Sequence, residues 1–374
     1  MDEFDKKVSD ICSEVSGVSF EQRAYLRLGI IRNLSYISQW DHFPENFDEE
    51  KPILLYGAGQ FGEAAANFLL AIGVSISAFI DNGKAGEVRI IMGTSIPIIS
   101  FEQCVERYPN AYINITVADT EYYFEIKQSL DKLGIRFYDI VGYYVIAGLK
   151  KLYTLLDDNL SRIVLLDSLK YLTGYSRYYE HYFDKRLVSL LTSHEVFVDA
   201  GMYNGDTIFD FIAHVKGKYR HIYGFEANQN VFNKYKERLK GLHNATLEDK
   251  GLWSHETVLA FGEGVESSSS FVTEYYTKSD AMAVTSLDKY FLDIPKPQWP
   301  TFIKIDIEGA EYEALLGAKV IIQAAKPKMA ISVYHKTEDF WRIPELLKKY
   351  HPEYSFFLRH YSSDDAREYV LYAV

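Results

Sequence analysis

Cysteine is nearly absent from this 374-residue chain, with only Cys12 and Cys104 present. Two residues so placed supply neither a disulfide framework nor a zinc-ligand spacing. Positive charge is also scarce. Lys and Arg number 40 against 52 Asp and Glu, giving a formal net charge of −12, and no Lys/Arg block stands out. A duplex-binding protein presents a basic face, so nucleic acid is excluded as a partner. Membrane-surface attachment through a polybasic patch has no support for the same reason. No uninterrupted apolar run is long enough to cross a bilayer, and the opening MDEFDKKVSD carries no apolar signal core. A soluble, cytoplasmic protein is expected.

What the chain does have is core-forming material. Apolar residues make up 48% and aromatics 15%, with 30 tyrosines, enough for two or three domains. Residues 1–48 carry helical apolar spacing and end in the polar, proline-bracketed break FPENFDEEKP. Residues 49–142 read as a small Rossmann-like α/β domain, with strands predicted at 53–56, 75–80, 113–117 and 135–140. Residues 143–190 read as a tyrosine-rich helical connector, serving as a dimer surface or as a lid over an acceptor. Residues 191–374 read as a second, larger α/β domain with strands at 196–200, 221–226, 245–248, 302–306, 328–334, 354–360 and 369–373. Only the short polar turn SSDDAR separates the last two strands, so no crossover helix fits and they must pair antiparallel. The fold class is therefore α/β, a doubly wound seven-stranded sheet with an antiparallel last strand, preceded by the smaller domain.

Three strand ends carry the chemistry of the larger domain. The first, VDAGMYNGDT, places Asp199, Gly201, Asn204, Gly205, Asp206 and Thr207 in a strand–turn–helix transition. Its glycines have GxxxG spacing, not the GxGxxG of a dinucleotide turn. Such a turn brings backbone close to a ligand, and the helix behind it offers N–H groups to an anion such as a carboxylate. Asp199 and Asp206 add negative charge, which suits an ammonium or sulfonium better than a pyrophosphate. The second, GFEAN, ends in Glu226, about 25 residues after Gly201. An acid there can accept both ribose hydroxyls. Together these point to S-adenosylmethionine.

The third strand end, FIKIDIEGAE, gathers Asp306, Glu308 and Glu311 within six residues. Acids so close call for a cationic or protic partner. His335 follows the next strand, in ISVYHK, where an imidazole can take a proton near neutral pH. Asp306 and His335 are the candidate bases, with Glu308 beside them. A divalent cation held by Asp306, Glu308 and His335 is the less favoured alternative, and no metal is assigned. Glu311, Arg359 and His360 are candidate substrate contacts.

The smaller domain has its own motif, LLYGAGQFG. Gly57, Gly59 and Gly62 match GxGxxG after a strand, and Asp81 lies about 24 residues on, where a ribose reader would stand. By itself this suggests an NAD enzyme.

The ordered set VDAGMYNGDT, GFEAN, TSLDKYF, FIKIDIEGAEYEALLGA, PKMAISVYHKTEDFW, LRHYS and EYVLYA resembles the FkbM family of S-adenosylmethionine-dependent O-methyltransferases, over roughly half of the chain. The resemblance implies a class I methyltransferase fold, cofactor held by the first two motifs, and a hydroxyl acceptor on a sugar, glycan or similar natural product. LLYGAGQFGEAAANFL with AFIDN resembles small Rossmann-like domains found beside sugar-modifying transferases. That likeness implies nucleotide or nucleotide-sugar binding, with an NAD-dependent oxidoreductase or dehydratase and a non-catalytic scaffold as the other readings. A homo-oligomer is compatible with the composition.

Overall fold

The computed structural model describes residues 6, 47–117, 119–168, 181–260, 281–362 and 367–374. Most of the expected helical preface, the tyrosine cluster Tyr171, Tyr175, Tyr178 and Tyr179 of the connector, and the serine tract at 267–270 lie outside these residues. The chain forms two compact units, Met1–Thr154 with Leu165–Leu172, and Leu155–Val164 with Thr173–Val374. Among the described residues, no helix is long and apolar enough to cross a membrane.

The first unit is built on five strands: β1 (Ile53–Tyr56), β2 (Ala78–Ile80), β3 (Val88–Ile91), β4 (Thr94–Ile99) and β5 (Tyr112–Ile115). Their order is β3-β4-β2-β1-β5. β1 runs parallel to both β2 and β5, and β2 parallel to β4. Leu54, Tyr56, Ala78, Ile80, Ile113 and Ile115 form a core with the helix Thr120–Lys132 through Tyr123, Ile126 and Leu130. The GAGQFG turn leads into the helix Gln60–Ala71. A Cβ on Gly62 would stand 1.9 Å from the Gly57 carbonyl oxygen, so glycine is needed there to bring helix and strand together.

Two expectations for this unit are corrected. Residues 135–139 form no strand, and Ile140 begins the helix Ile140–Leu155. Asp139 Oδ1 accepts the Gly142 N–H at 2.8 Å and Asn114 Oδ1 accepts that of Val141 at 3.1 Å, so side-chain acceptors start a helix where apolar character suggested a strand. The antiparallel hairpin β3–β4 was not anticipated. Met92 and Gly93 turn it with φ of +49° and +73°, the left-handed pair of a two-residue hairpin.

The second unit holds a seven-stranded sheet of β6 (Val196–Ala200), β7 (His221–Phe225), β8 (Ala245–Glu248), β12 (Phe302–Ile305), β13 (Lys328–Ser332), β14 (Phe356–His360) and β15 (Tyr369–Ala373). The order is β14-β15-β13-β12-β6-β7-β8. β8, β7, β6, β12 and β13 are mutually parallel. β15 is antiparallel to both β13 and β14, as the short turn before it requires. Three shorter strands, β9 (Gly251–Leu252), β10 (Thr257–Ala260) and β11 (Ala281–Thr285), form a small separate sheet that the sequence reading missed.

β6 and β12 are buried along their whole length, as expected for strands covered on both faces. Phe197 stacks on Phe302 and on Phe211 of the helix Asp206–His214, at 4.9 and 4.4 Å between ring centroids. This packing fixes the two central strands side by side. Their carboxyl ends open where the order reverses, the usual place for a ligand in a doubly wound sheet.

Candidate active site

The first structural demand at that edge is on Gly201. It follows β6 with φ +77°, and a Cβ there would lie 1.9 Å from the carbonyl oxygen of Asp306. The ends of β6 and β12 thus touch backbone to backbone, which no other residue type permits. Gly205 caps the helix Asp206–His214 with φ +81°. Its own Cβ position is filled by Leu239 Cδ2 at 2.6 Å. The loop therefore hugs the sheet and leaves space above it.

That space is a cavity of about 540 Å³. Gly201, Tyr203, Asp206, Thr207 and Glu226 form one end. Lys304, Asp306, Glu308 and Tyr334 line another part, and His181, Tyr182 and Glu368 complete it. Glu226 is held by two backbone donors, Tyr203 N at 3.1 Å and Asn228 N at 2.9 Å, one to each oxygen. Each oxygen keeps lone-pair capacity for a further donor. Burial raises the Glu226 pKa, and the two amides oppose that shift.

The anion-binding expectation at the helix start changes in detail. Asn204 Oδ1 accepts the Asp206 N–H and Asp206 Oδ1 accepts that of Thr207, both at 2.8 Å. Two of the first amides are thus capped locally. Asn204 and Gly205 shape the turn, while Asp206 and Thr207 face the cavity.

Asp199 is fully buried and is not part of the cavity wall. Its Oδ1 lies 3.1 Å from Lys304 Nζ, which also donates to the carbonyls of Gly201 (2.8 Å) and Ala200 (3.3 Å). Burial pushes the Asp199 pKa up to about 6, against the pull of Lys304. Burial works against the Lys304 charge in turn, but Asp199 and Asp306 outweigh it and hold its pKa above the ordinary value. Asp199 therefore supports the glycine turn from beneath, through Lys304.

Asp306 stands at the end of β12 and lines the cavity. Tyr182 donates its hydroxyl to Asp306 Oδ2 at 2.5 Å and lies 3.2 Å from Ser332 Oγ. Burial alone would raise the Asp306 pKa, but Lys304, His335 and Tyr182 together lower it. It is held as a carboxylate. The adjoining Glu308 is half exposed and left-handed, with φ +56°.

His335 is not on the cavity wall; it sits within a ring of acids. Its Nδ1 is 2.9 Å from Glu311 Oε1, and its Nε2 is 3.3 Å from Glu308 Oε2 and 3.6 Å from Asp306 Oδ1. Burial disfavours the imidazolium, yet the three carboxylates raise its pKa well above the usual value. At neutral pH it already carries its proton, so it does not fit the role of base expected for it. Glu311 is fully buried, accepts the Ile307 N–H at 2.9 Å, and faces His335, not a substrate. Asp306, Glu311 and His335 each present a donor atom within 4.8 Å of the others, a set that differs from the sequence trio by Glu311 for Glu308. The proton on His335 already supplies the positive charge these acids need.

Arg359 and His360 are not brought to the cavity. Arg359 is buried, its Nε 3.0 Å from Asp184 Oδ2 and its Nη2 3.2 Å from Asp158 Oδ2. His360 stacks on Tyr369 at 4.0 Å. In the other unit, Gly57, Gly59 and Gly62 follow β1, and Asp81 follows β2. Its Oδ2 accepts the Ala58 N–H at 3.3 Å and its Oδ1 that of Gly83 at 3.0 Å. Lys84 Nζ donates to the Ala58 carbonyl at 2.8 Å.

Sequence reasoning missed Lys304, His181 and Glu368, and read Tyr182 only as one of the tyrosines of the connector. Lys304 had a signal, a lysine inside the otherwise apolar strand FIKI. His181 and Glu368 come from distant segments and had none.

Residues 199–364 match the family described as the methyltransferase FkbM domain. Over its whole length the chain is similar to the crystal structure of methyltransferase FkbM from Methylobacillus flagellatus, at 19% identity and a TM-score of 0.54, covering 100% of this chain and 99% of that one. It also matches an rRNA methylase from Streptococcus thermophilus, at 15% identity and a TM-score of 0.32, covering 50% of this chain and 89% of that one. Fibrillarin from Aeropyrum pernix with natively bound S-adenosyl-L-methionine matches at 12% identity and a TM-score of 0.30, covering 52% and 75%. No curated protein matches the chain.

Proposed function

We propose that this chain, whose residues 199–364 match the methyltransferase FkbM domain, is an S-adenosylmethionine-dependent O-methyltransferase whose acceptor is a hydroxyl of a sugar, glycan or nucleotide-linked sugar. The observation that carries this reading is that Glu226 and Asp306 line the same cavity, with the Gly201 turn between β6 and β12. Glu226 keeps acceptor capacity for a ribose diol. Asp206, Asp306 and Glu308 give the cavity the negative charge that favours a sulfonium. When bound, S-adenosylmethionine supplies an electrophilic methyl group.

The chain's own residues do the rest. Glu226 and the backbone at Gly201 hold the adenosine and amino-acid portions. Asp306, fixed by Tyr182 and Lys304, accepts a hydrogen bond from the acceptor hydroxyl and orients its oxygen. Holding both partners in one cavity removes entropy from the reaction, an effect able to supply several kcal/mol. The aromatic lining of Tyr182, Tyr203 and Tyr334 suits the faces of a sugar ring.

In the other unit, Asp81 accepts one loop amide on each oxygen, from Ala58 and Gly83, and so keeps acceptor capacity for a further donor just as Glu226 does. A nucleotide-sugar at the GAGQFG turn remains compatible with this reading as a second, non-redox site. The test is calorimetry with S-adenosylmethionine, followed by transfer of a labelled methyl group to a panel of nucleotide-sugars and free glycans. Binding with transfer to a sugar supports the proposal. Absence of cofactor binding overturns it, and transfer only to non-sugar hydroxyls overturns the acceptor class.

A further inference from the structure

The transfer needs a proton acceptor, and the two groups the sequence suggested are poorly suited to it. His335 holds a proton already, and Asp306 is kept ionised by a lysine, an imidazolium and a tyrosine hydroxyl. The cavity wall carries one histidine, His181. Its Nε2 lies 2.8 Å from Glu368 Oε2. Its ring stacks on Tyr182 at 4.1 Å with planes 19° apart, and Tyr182 is the residue that bonds Asp306. Tyr361 packs against it at 5.0 Å. Among the described residues, the charged and titratable neighbours of His181 are Glu368, Tyr182, Tyr361 and, through space, Asp306, with Tyr334 lining the same cavity.

Two backbone features accompany this arrangement. Tyr182 and Glu368 both have positive φ, +63° and +66°, in the left-handed region that side-chain-bearing residues avoid. Strain of that kind persists where the surroundings over-determine a position, and it gathers at functional sites. Here it aims a histidine and its carboxylate partner at the same space.

Taking the methyltransferase reading as its basis, we propose that His181, oriented by Glu368, is the proton acceptor for the acceptor hydroxyl. The Glu368 carboxylate, 2.8 Å from Nε2, favours the tautomer that carries its proton there and leaves the Nδ1 lone pair to act as base. The hydroxyl proton moves to Nδ1 as its oxygen forms the new C–O bond. The electron pair of the broken C–S bond stays on sulfur, and the resulting imidazolium is balanced by Glu368. Asp306 orients the hydroxyl and does not take its proton.

Two measurements test this. In the first, the tautomer of the His181 imidazole is read from its ring nitrogen shifts by NMR in the intact wild-type chain and in Glu368→Gln, with no acceptor present. The dyad requires the Nε2-protonated tautomer to dominate in the wild type and that preference to be lost in the variant. The same tautomer mixture in both proteins overturns it, whatever the fate of the methyltransferase reading. In the second, turnover is followed with S-adenosylmethionine and whichever nucleotide-sugar of the panel is methylated. His181→Ala is expected to lower kcat by roughly 10²- to 10⁴-fold while cofactor affinity holds. Glu368→Gln is expected to lower kcat with the KM for S-adenosylmethionine unchanged, a split that a merely structural role would not produce. Full turnover in a His181→Ala protein that binds cofactor overturns the proposal. Lack of cofactor binding by the wild type overturns the methyltransferase reading instead.

Discussion

The Asp306 carboxylate accepts a 2.5 Å hydrogen bond from the hydroxyl of Tyr182, a residue 124 positions earlier in the chain. This contact joins a strand end of the sheet to the segment that closes the cavity over it. Tyr182 is buried and Asp306 partly so, and the pair is charge-assisted, so it is among the stronger single hydrogen bonds in the site.

Removing the Tyr182 hydroxyl leaves Asp306 a partly buried carboxylate with one donor fewer. Tyr182→Phe is expected to cost about 1–3 kcal/mol. A urea titration of the variant reads this directly as a lower midpoint. It should also reduce methyl transfer more than cofactor affinity, because Asp306 is placed to meet the acceptor. A midpoint equal to that of the wild type would show that the bond carries no net stability.

Glu226 gives the second prediction. A charged hydrogen bond from a ribose hydroxyl contributes about 1.5–3 kcal/mol. Glu226→Ala should therefore weaken S-adenosylmethionine binding by roughly 10- to 150-fold in calorimetry. The fold should survive, since the carboxylate is bonded only to two loop amides, Tyr203 N and Asn228 N. Undiminished affinity would remove Glu226 from the cofactor site.

What could be read in the sequence was local. VDAGMYNGDT and GFEAN are strand–turn–helix transitions whose periodicity and glycines lie within a few residues of each other. The antiparallel β15 followed from a turn too short for a crossover. The β3–β4 hairpin was missed because Met92, not the usual Asn or Asp, takes the left-handed position before Gly93. The helix at Ile140 was missed because its start depends on Asn114, from a strand 26 residues away. The site shows the same divide. Asp306 and Glu226 were legible from strand ends, whereas Tyr182, His181 and Glu368 reach the cavity only through tertiary packing. His335 was located correctly in sequence but misread in charge, since that depends on three acids closing around it.

Two glycines in equivalent turns should respond oppositely to the same change. Gly201→Ala forces a methyl group to within 1.9 Å of the Asp306 carbonyl oxygen at φ +77°, with backbone on the other side and nothing that can yield. It should lose soluble expression or unfold at markedly lower urea. Gly59→Ala meets nothing within 4 Å and has no left-handed φ. It should fold normally and methylate at the wild-type rate. Equal stability of the two variants would contradict the backbone contact between β6 and β12.

The acid ring around His335 makes a prediction in pH. Its folded-state pKa is raised, chiefly by Glu311 once the burial cost is overcome. The stability it contributes is therefore complete below the unfolded value of about 6.5 and is lost as pH rises through the folded value. Asp199 behaves differently in range. Its raised pKa of about 6 builds up a penalty on the fold between its ordinary carboxylate value and that point, and the penalty is constant above it, so Asp199 adds no slope where the histidine titrates. Lys304, also raised, loses its contribution only above the ordinary lysine range. As pH rises above the unfolded histidine value of about 6.5, then, the wild type should lose stability to urea as His335 gives up its proton. Glu311→Gln removes the nearest carboxylate, lowers the folded pKa and should flatten that slope while making the protein less stable at the acid end. A wild-type slope preserved in Glu311→Gln would show that His335 is not the titrating group, and that the Nδ1–Glu311 contact does not hold the imidazolium in place.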